Sequence, residues 1–150
     1  DVAPLPARLR AALAAATQDA APDAQVPATA SGMLAPLLAE IADWLPEVRR
    51  GHPGHGISLS RLPLPPNDMV ELARRLGRGP ATAVSRGHGS TRVTAMGTRY
   101  VWWVQHYNAD DDLLVNALEI TAWPSGLAVP WEDLGDSAAR LAELVELAGP

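Results

Sequence analysis

The chain has 150 residues, no cysteine and a formal net charge of −5, and all twelve of its basic residues are arginine. This length fits one ordinary domain, and the lack of cysteine excludes disulfides, thiol catalysis and zinc sites built on thiolates. No apolar run approaches the roughly 18 residues of a membrane span, so we expect a soluble, cytoplasmic protein. The alanine-rich, lysine-free composition indicates GC-rich coding DNA and an actinobacterial source.

Charge is distributed unevenly along the chain. Residues 49–99 contain nine arginines against Asp68 and Glu71, whereas both flanking segments are acidic. A basic segment can attract an anionic partner, but packing against the acidic ends would also neutralise it, and we favour this second interpretation. The negative net charge argues against nucleic-acid binding, which needs an uncompensated basic face.

Two helices are predicted in the first third of the chain. The helix predicted over residues 6–18 rests on Leu5, Leu9 and Leu13, which recur every four residues, and residues 33–45 carry a longer apolar stripe at helical spacing. Pro46 is expected to end or kink the second helix near Leu45 because proline lacks the amide that a helix interior requires. Residues 19–32 between the helices are rich in alanine and proline and predict a linker with no face to bury.

A third helix is predicted over residues 67–79. Asp68 is expected to cap its first turn, with Glu71 reaching back to the capping residue's amide. Gly77 or Gly79 should end the helix, because glycine adopts the backbone conformations that follow a last turn.

Strand patterns dominate from residue 81 onward. Four segments rich in β-branched and aromatic residues, separated by glycine-rich or acidic turns, predict a four-stranded antiparallel meander over about 81–123. A short strand that includes Ile57 and Leu59 would lie at an edge, because Pro63, Pro65 and Pro66 follow it. Residues 129–150 predict a C-terminal helix packed on the sheet.

The predicted fold is therefore α+β: N-terminal helices, a four-stranded antiparallel meander and a C-terminal helix. Residues 1–32 are expected to form an N-terminal helix and linker, and residues 33–150 a single α+β domain.

The aromatic residues of the sheet region are the strongest candidates for a binding surface. Both faces of residues 98–123 carry apolar side chains, so each face should be at least partly covered. Helices on both faces would make the indoles core residues, whereas an exposed face would offer a platform for a partner. The candidate partner-binding residues are Trp102, Trp103, Tyr107, Trp123 and Trp131.

Two polar clusters are weaker candidates. His52 and His55 lie in a glycine- and proline-rich loop that fixes no ligand geometry and has no third ligand at a recognisable spacing, so we interpret it as a flexible turn and predict no metal. Arg86, Arg92 and Arg99 surround a glycine-rich segment that could hold an anion, although a hairpin turn explains this segment better.

An acid–base site is a further alternative, built on His106 and Glu119. Burial in an apolar strand would raise the pKa of Glu119. A cross-strand ion pair with Arg92 or Arg99 is the interpretation we favour.

The sequence as a whole indicates a non-catalytic protein-binding domain that uses an aromatic sheet surface and needs no cofactor. Its partner would be another protein or a second copy of the chain, as in an adaptor, a secretion or chaperone-like partner, or an immunity protein. The alternative is a small-ligand-binding or enzymatic domain whose pocket lies between sheet and helices and involves His106, Glu119 and arginines.

Overall fold

The computed structural model describes residues 7–127, and an α+β fold with an antiparallel sheet is confirmed. The elements in chain order are α1 (Ala7–Ala16), α2 (Leu34–Arg49), β1 (His55–Ser58), α3 (Pro66–Leu76), β2 (Arg78–Gly87), β3 (Gly89–Met96), β4 (Val101–Tyr107) and β5 (Leu113–Ile120). Two short 3-10 helices span Leu59–Arg61 and Ser125–Leu127. The helix predicted over 129–150 lies outside the described residues.

The sheet has five strands in the order β1-β5-β4-β3-β2, and each neighbouring pair is antiparallel. Strands β2 to β5 follow one another as a meander, and the short edge strand β1, which contains Ile57 but ends before Leu59, joins beside β5 and brings the sheet to five strands. The burial of Ile57 opposite Leu118 holds this added strand in place. The strand ends after four residues, where the 3-10 helix over Leu59–Arg61 begins.

Helix α2 continues through Pro46 to Arg49 instead of ending near Leu45. Burial of Val48, one turn beyond Leu45 on the same apolar stripe, stabilises the last turn and offsets the hydrogen bond that proline cannot make. The buried stripe consists of Leu34, Leu37, Leu38, Ile41, Leu45 and Val48.

The predicted capping box at the start of α3 was wrong. The helix begins at Pro66, so Asp68 lies inside its first turn, and its buried carboxylate accepts hydrogen bonds from Ser31 N at 3.0 Å and from Ser31 Oγ. Glu71 instead accepts hydrogen bonds from Arg74 and Arg75, which lower its pKa to about 2. Of the two glycines predicted to end α3, Gly77 is the residue that follows its last turn.

The two faces of the sheet bury different clusters. On one face, α2 and α3 cover the end of the sheet that holds Met96, Val101 and Ile120. We call this the inner end; the opposite, outer end carries the β2–β3 turn and the β4–β5 turn. On the other face, Leu13 of α1 and Leu127 pack against a smaller cluster consisting of Val93, Ala95, Trp102 and Val104.

The β3–β4 connection joins the N-terminal segment to α3. The backbone amide of Thr98 donates to Leu76 O at 2.9 Å, which satisfies a carbonyl at the C-terminal end of α3. On its other side, Gly97 O accepts from Gln18 N at 2.7 Å and Arg99 N donates to Gln18 O at 2.9 Å. The residues after α1 are therefore held by backbone hydrogen bonds.

The segment between α1 and α2 contacts the rest of the fold at several points. Pro22 is buried, and Val26 and Ala30 pack against the main core cluster. This segment therefore has a face to bury, contrary to the sequence interpretation. The division of the chain into residues 1–32 and 33–150 stays a prediction.

Candidate functional site

Trp102 and Trp103 lie on opposite faces of β4, as neighbours in a strand must. Trp102 is 7% exposed, packs with Val93 and Val104, and donates from Nε1 to Thr121 O at 2.9 Å. Trp103 is half-buried against the main core and donates from Nε1 to Asn116 Oδ1 at 2.5 Å. The expectation of an exposed surface containing Trp102 was therefore wrong, because this indole is a core residue.

The remaining aromatic candidates lie apart from one another. Tyr107 is half-buried at the outer end, and Arg92 Cζ lies 5.9 Å from its ring centroid. Trp123 is half-buried, and its buried Nε1 has no hydrogen-bond partner among residues 7–127. Trp131 lies outside the described residues. The structure therefore does not assemble these aromatic residues into one platform within the part of the chain it describes.

Among the described residues the exposed large apolar side chains are aliphatic: Val70 on α3 and Val84 on β2 are isolated in the sequence, whereas three consecutive ones lie at the start of β5. Leu113 is 46% exposed, Leu114 is 60% exposed and Val115 is 41% exposed. In the β4–β5 register Leu113 is opposite Tyr107, whereas Val115 is opposite His106 on the other face. We call Tyr107 and Leu113–Val115 the β5 patch; it wraps the edge of the sheet at the outer end.

The three candidate arginines are divided between the two ends of the sheet. Arg86 and Arg92 line a shallow groove of about 440 Å³ at the outer end, together with Asp111. Arg99 lies in the β3–β4 connection and pairs with Asp19 at 3.0 Å. Arg99 lies at the other end of the sheet and is paired with an aspartate, so the three arginines form no shared anion site.

The histidine loop is packed on α2, whereas the sequence predicted a flexible turn. His55 stacks on Trp44 with ring centroids 4.3 Å apart and an interplanar angle of 7°, and His52 packs on the same indole at 5.0 Å. His55 Nε2 also lies 2.7 Å from Glu40 Oε1. Within residues 7–127 no group of three or more His, Cys, Asp or Glu side chains could hold a metal ion.

His106 and Glu119 do not converge. Glu119 is opposite Trp102 and His106 is opposite Val115, so about 13 Å of strand separates them. Glu119 accepts a hydrogen bond from Ser125 N at 2.7 Å, contrary to the favoured ion pair with an arginine.

The cavity between sheet and helix also lacks both of these side chains. It measures about 290 Å³, and its lining includes Leu13, Trp102 and Arg99 but neither His106 nor Glu119. This arrangement gives no support to the enzymatic alternative.

The β5 patch was missed in the sequence because apolar residues on both faces of the last strand were interpreted as core. Two signals together indicate it. Three consecutive aspartates, Asp110–Asp112, precede Leu113, and charges of this kind mark the solvated end of a strand. Pro63, Pro65 and Pro66 follow the neighbouring strand and place it at an edge of the sheet.

Within residues 7–127 the fold and its surface define an α+β domain with an open sheet edge and no assembled reactive centre. A family model described as HupH hydrogenase expression protein, C-terminal conserved region, matches residues 33–148. The chain belongs to this family.

Three relatives show the extent of the similarity. The chain is 44% identical over 121 residues to the hydrogenase expression/formation protein HupH of Rhizobium leguminosarum bv. viciae, covering 80% of this chain and 43% of that protein. It is 35% identical over 95 residues to the hydrogenase-1 operon protein HyaF of Escherichia coli (strain K12), covering 61% of this chain and 32% of HyaF. A solved structure of the hydrogenase expression protein HupH from Thiobacillus denitrificans ATCC 25259 is 31% identical, with a TM-score of 0.65, and the match covers 80% of this chain and 98% of that one.

The chain spans less than half the length of these two curated relatives. Their source organisms give no support to an actinobacterial origin, and their names give none to an immunity protein. No helix within residues 7–127 is long and apolar enough to cross a membrane.

Proposed function

We propose that this domain is a non-catalytic accessory protein in hydrogenase expression or formation, and that it acts by binding another protein of that process. We assign hydrogenase expression or formation as the process because the names of its relatives refer to it. The observation that carries the binding role is the β5 patch, in which Leu113, Leu114 and Val115 are consecutive and all exposed.

Exposed apolar side chains in one place favour protein binding, because covering them removes apolar surface from water and releases ordered water molecules. The proposed surface keeps part of the aromatic surface expected from the sequence, since Tyr107 belongs to the β5 patch and Trp103 lies on the same face of β4. Trp102 is excluded from it, because this residue is part of the core. The cytoplasmic location stays a prediction.

Co-expression tests this function. The full chain is produced together with each hydrogenase structural subunit and each other hydrogenase formation protein of the same organism, in turn. Size-exclusion chromatography with light scattering then measures the mass of any complex. We expect one of these proteins to form a stoichiometric complex with the chain.

A pair of variants tests whether the β5 patch makes the contact. Replacing both leucines, in Leu113→Ser with Leu114→Ser, should weaken the complex at least about tenfold, because two exposed apolar side chains leave the interface. Val70→Ser is the matched control, since Val70 is 70% exposed on α3, away from the patch. Failure of every hydrogenase protein to bind would refute the proposed function.

A further inference from the structure

We propose that the partner docks by strand addition. An extended segment of the partner pairs with the half of β5 that β1 leaves unpaired, at the outer end of the sheet. The segment would carry aliphatic side chains and at least one arginine or lysine beside them. This inference depends on the proposed function in that it assumes a protein partner, and it adds the mode of recognition and the chemistry of the segment.

The first argument is the unpaired backbone of β5. Strand β1 pairs only with the second half of β5, from Ala117 to Ile120. At the next position of β5, Asn116, the side chain of Ser60 binds the backbone instead of a neighbouring strand. Its hydroxyl accepts a hydrogen bond from Asn116 N at 3.0 Å and donates one to Asn116 O at 3.4 Å. Among the described residues, no strand pairs with Leu113–Val115 on this side.

A short 3-10 helix explains why the chain leaves this edge open. The backbone turns into a short 3-10 helix directly after β1, and Pro63, Pro65 and Pro66 follow within a few residues. In the β1–β5 register residues 59–62 would lie opposite residues 113–116, and the 3-10 helix over Leu59–Arg61 takes them out of the line of β1. The sequence thus ends one edge strand halfway and leaves room for another in the same line.

The second argument is the arrangement of side chains along the free edge. Leu113 and Val115 lie on different faces of the sheet. In the β4–β5 register Leu113 is paired with Tyr107 and Val115 with His106, whereas Leu114 has no partner. An added strand would therefore meet apolar side chains on both faces of the sheet. Strand addition uses such contacts for specificity and backbone hydrogen bonds for affinity.

The third argument is charge. Asp110, Asp111 and Asp112 are all exposed in the turn that leads into β5, and none forms an ion pair within residues 7–127. Asn108 Oδ1 fixes the turn by accepting from the amides of Asp110 and Asp112 at 2.9 and 2.8 Å. Three fixed carboxylates beside an apolar edge favour a segment that carries a cation.

The same carboxylates argue against a second copy of this chain as the occupant. Two such edges would bring like charges together, and acidic residues at a sheet edge commonly oppose edge-to-edge pairing for this reason. The same charges attract a basic, aliphatic segment of a different protein and repel a second copy of this chain.

Four synthetic peptides test the proposal on the full chain. The first alternates valine and threonine and ends in two arginines, and the second has glutamates in place of the arginines. The third and fourth repeat the first with backbone N-methyl groups on every valine or on every threonine. Isothermal titration gives the affinities, and amide NMR shifts locate the site.

We expect the arginine peptide to bind with shifts centred on Leu113–Val115. One N-methylated peptide should keep its affinity and the other should lose at least about tenfold, because successive amides of a strand point to opposite edges. Equal binding, or equal loss, by the two methylated peptides would overturn strand addition. Absence of saturable binding by the arginine peptide, or dimerisation of the chain through this edge, would do so as well.

Protein variants supply the complementary test. Leu114→Lys should abolish binding of the arginine peptide, and the exposed control Val70→Lys should leave it unchanged. Replacing all three aspartates by asparagine, which tolerates the positive φ of residue 111, should weaken the arginine peptide roughly three- to tenfold and leave the glutamate peptide no weaker. Retention of full affinity in Leu114→Lys would count against the site.

These experiments distinguish failure of strand addition from failure of the proposed function. If a hydrogenase protein forms a complex but the methylated peptides behave alike, the function stands and strand addition is wrong. If the peptides pair with β5 as expected but no hydrogenase protein binds, strand addition stands and the assignment to hydrogenase formation is wrong.

Discussion

At the scale of single residues, Asp68 joins two segments that are distant in the chain. Asp68 is 2% exposed. Both of its carboxylate oxygens accept hydrogen bonds from Ser31, which lies just before α2. The carboxylate thus holds the start of α2 beside the start of α3. A buried carboxylate is tolerated here because the backbone amide and the hydroxyl of Ser31 both donate to it.

We expect Asp68→Ala to lower the free energy of unfolding by about 2 kcal/mol, because the buried amide and hydroxyl of Ser31 lose a charged acceptor. Urea unfolding followed by circular dichroism measures the change. The control is Asp43→Ala, since Asp43 is an exposed carboxylate on α2 and its removal should cost within about 0.5 kcal/mol. Equal effects of the two substitutions would contradict the role assigned to Asp68.

At the scale of elements, β1 depends on the loop that precedes it. Gly54 has a φ of +137°, and a Cβ there would lie 2.7 Å from Thr121 Cβ and 2.9 Å from Ile120 O. Only glycine can adopt this backbone conformation so close to the end of β5. The approach lets β1 enter the sheet, and the stacking of His55 on Trp44 ties the same residues to α2.

Gly54→Ala should therefore detach β1 and cost about 2 kcal/mol of stability, from backbone strain and steric contact together. Thermal unfolding gives the cost, and amide exchange of Ile57 reports whether β1 separates from the sheet. Gly56→Ala is a control within the same strand, because a Cβ there meets nothing within 4 Å. If both variants unfold alike, the close approach at Gly54 does not determine the position of β1.

At the scale of the whole molecule, the uneven charge of the sequence becomes a set of contacts. Arg99 pairs with Asp19 at 3.0 Å, Arg75 pairs with Asp23 at 3.8 Å, and Arg49 donates to the carbonyl of Asp19. The basic middle segment thus packs beside the acidic N-terminal segment, which is one of the two acidic ends that the favoured interpretation of the charge pattern involved. The aspartates of the β4–β5 turn have no such partners among the described residues.

Arg99→Ala should release the residues around α1 without unfolding the core, because Arg99 also donates to Thr17 Oγ1 and to Ala14 O. We expect faster amide hydrogen exchange in residues 13–20 and unchanged exchange in α2 and α3. Mass spectrometry of exchanged peptides measures both. Arg78→Ala is the control because Arg78 is an exposed arginine. Unchanged exchange in residues 13–20 of Arg99→Ala would show that the arginine does not anchor this segment.

Part of the candidate site was open to prediction from the sequence. The acidic turn and the strand after it are visible in the pattern, and so is an edge strand followed by prolines. The exposure of Leu113–Val115 was not, because apolar residues that alternate on both faces look the same whether a helix covers them or water does. Trp102 and Trp103 show the same limit, since one is buried and the other half-buried.

The sequence by itself determined where α3 ends, which segments of the described chain become β-strands and that they pair in an antiparallel sheet. Those features follow from backbone sterics, side-chain branching and turn residues, which act between near neighbours in the chain. Only the tertiary structure decided that Asp68 binds Ser31, that β1 pairs with half of β5 and that Glu119 holds Ser125 instead of an arginine. These outcomes depend on which segments meet in space, and periodicity along a single chain carries no information about that.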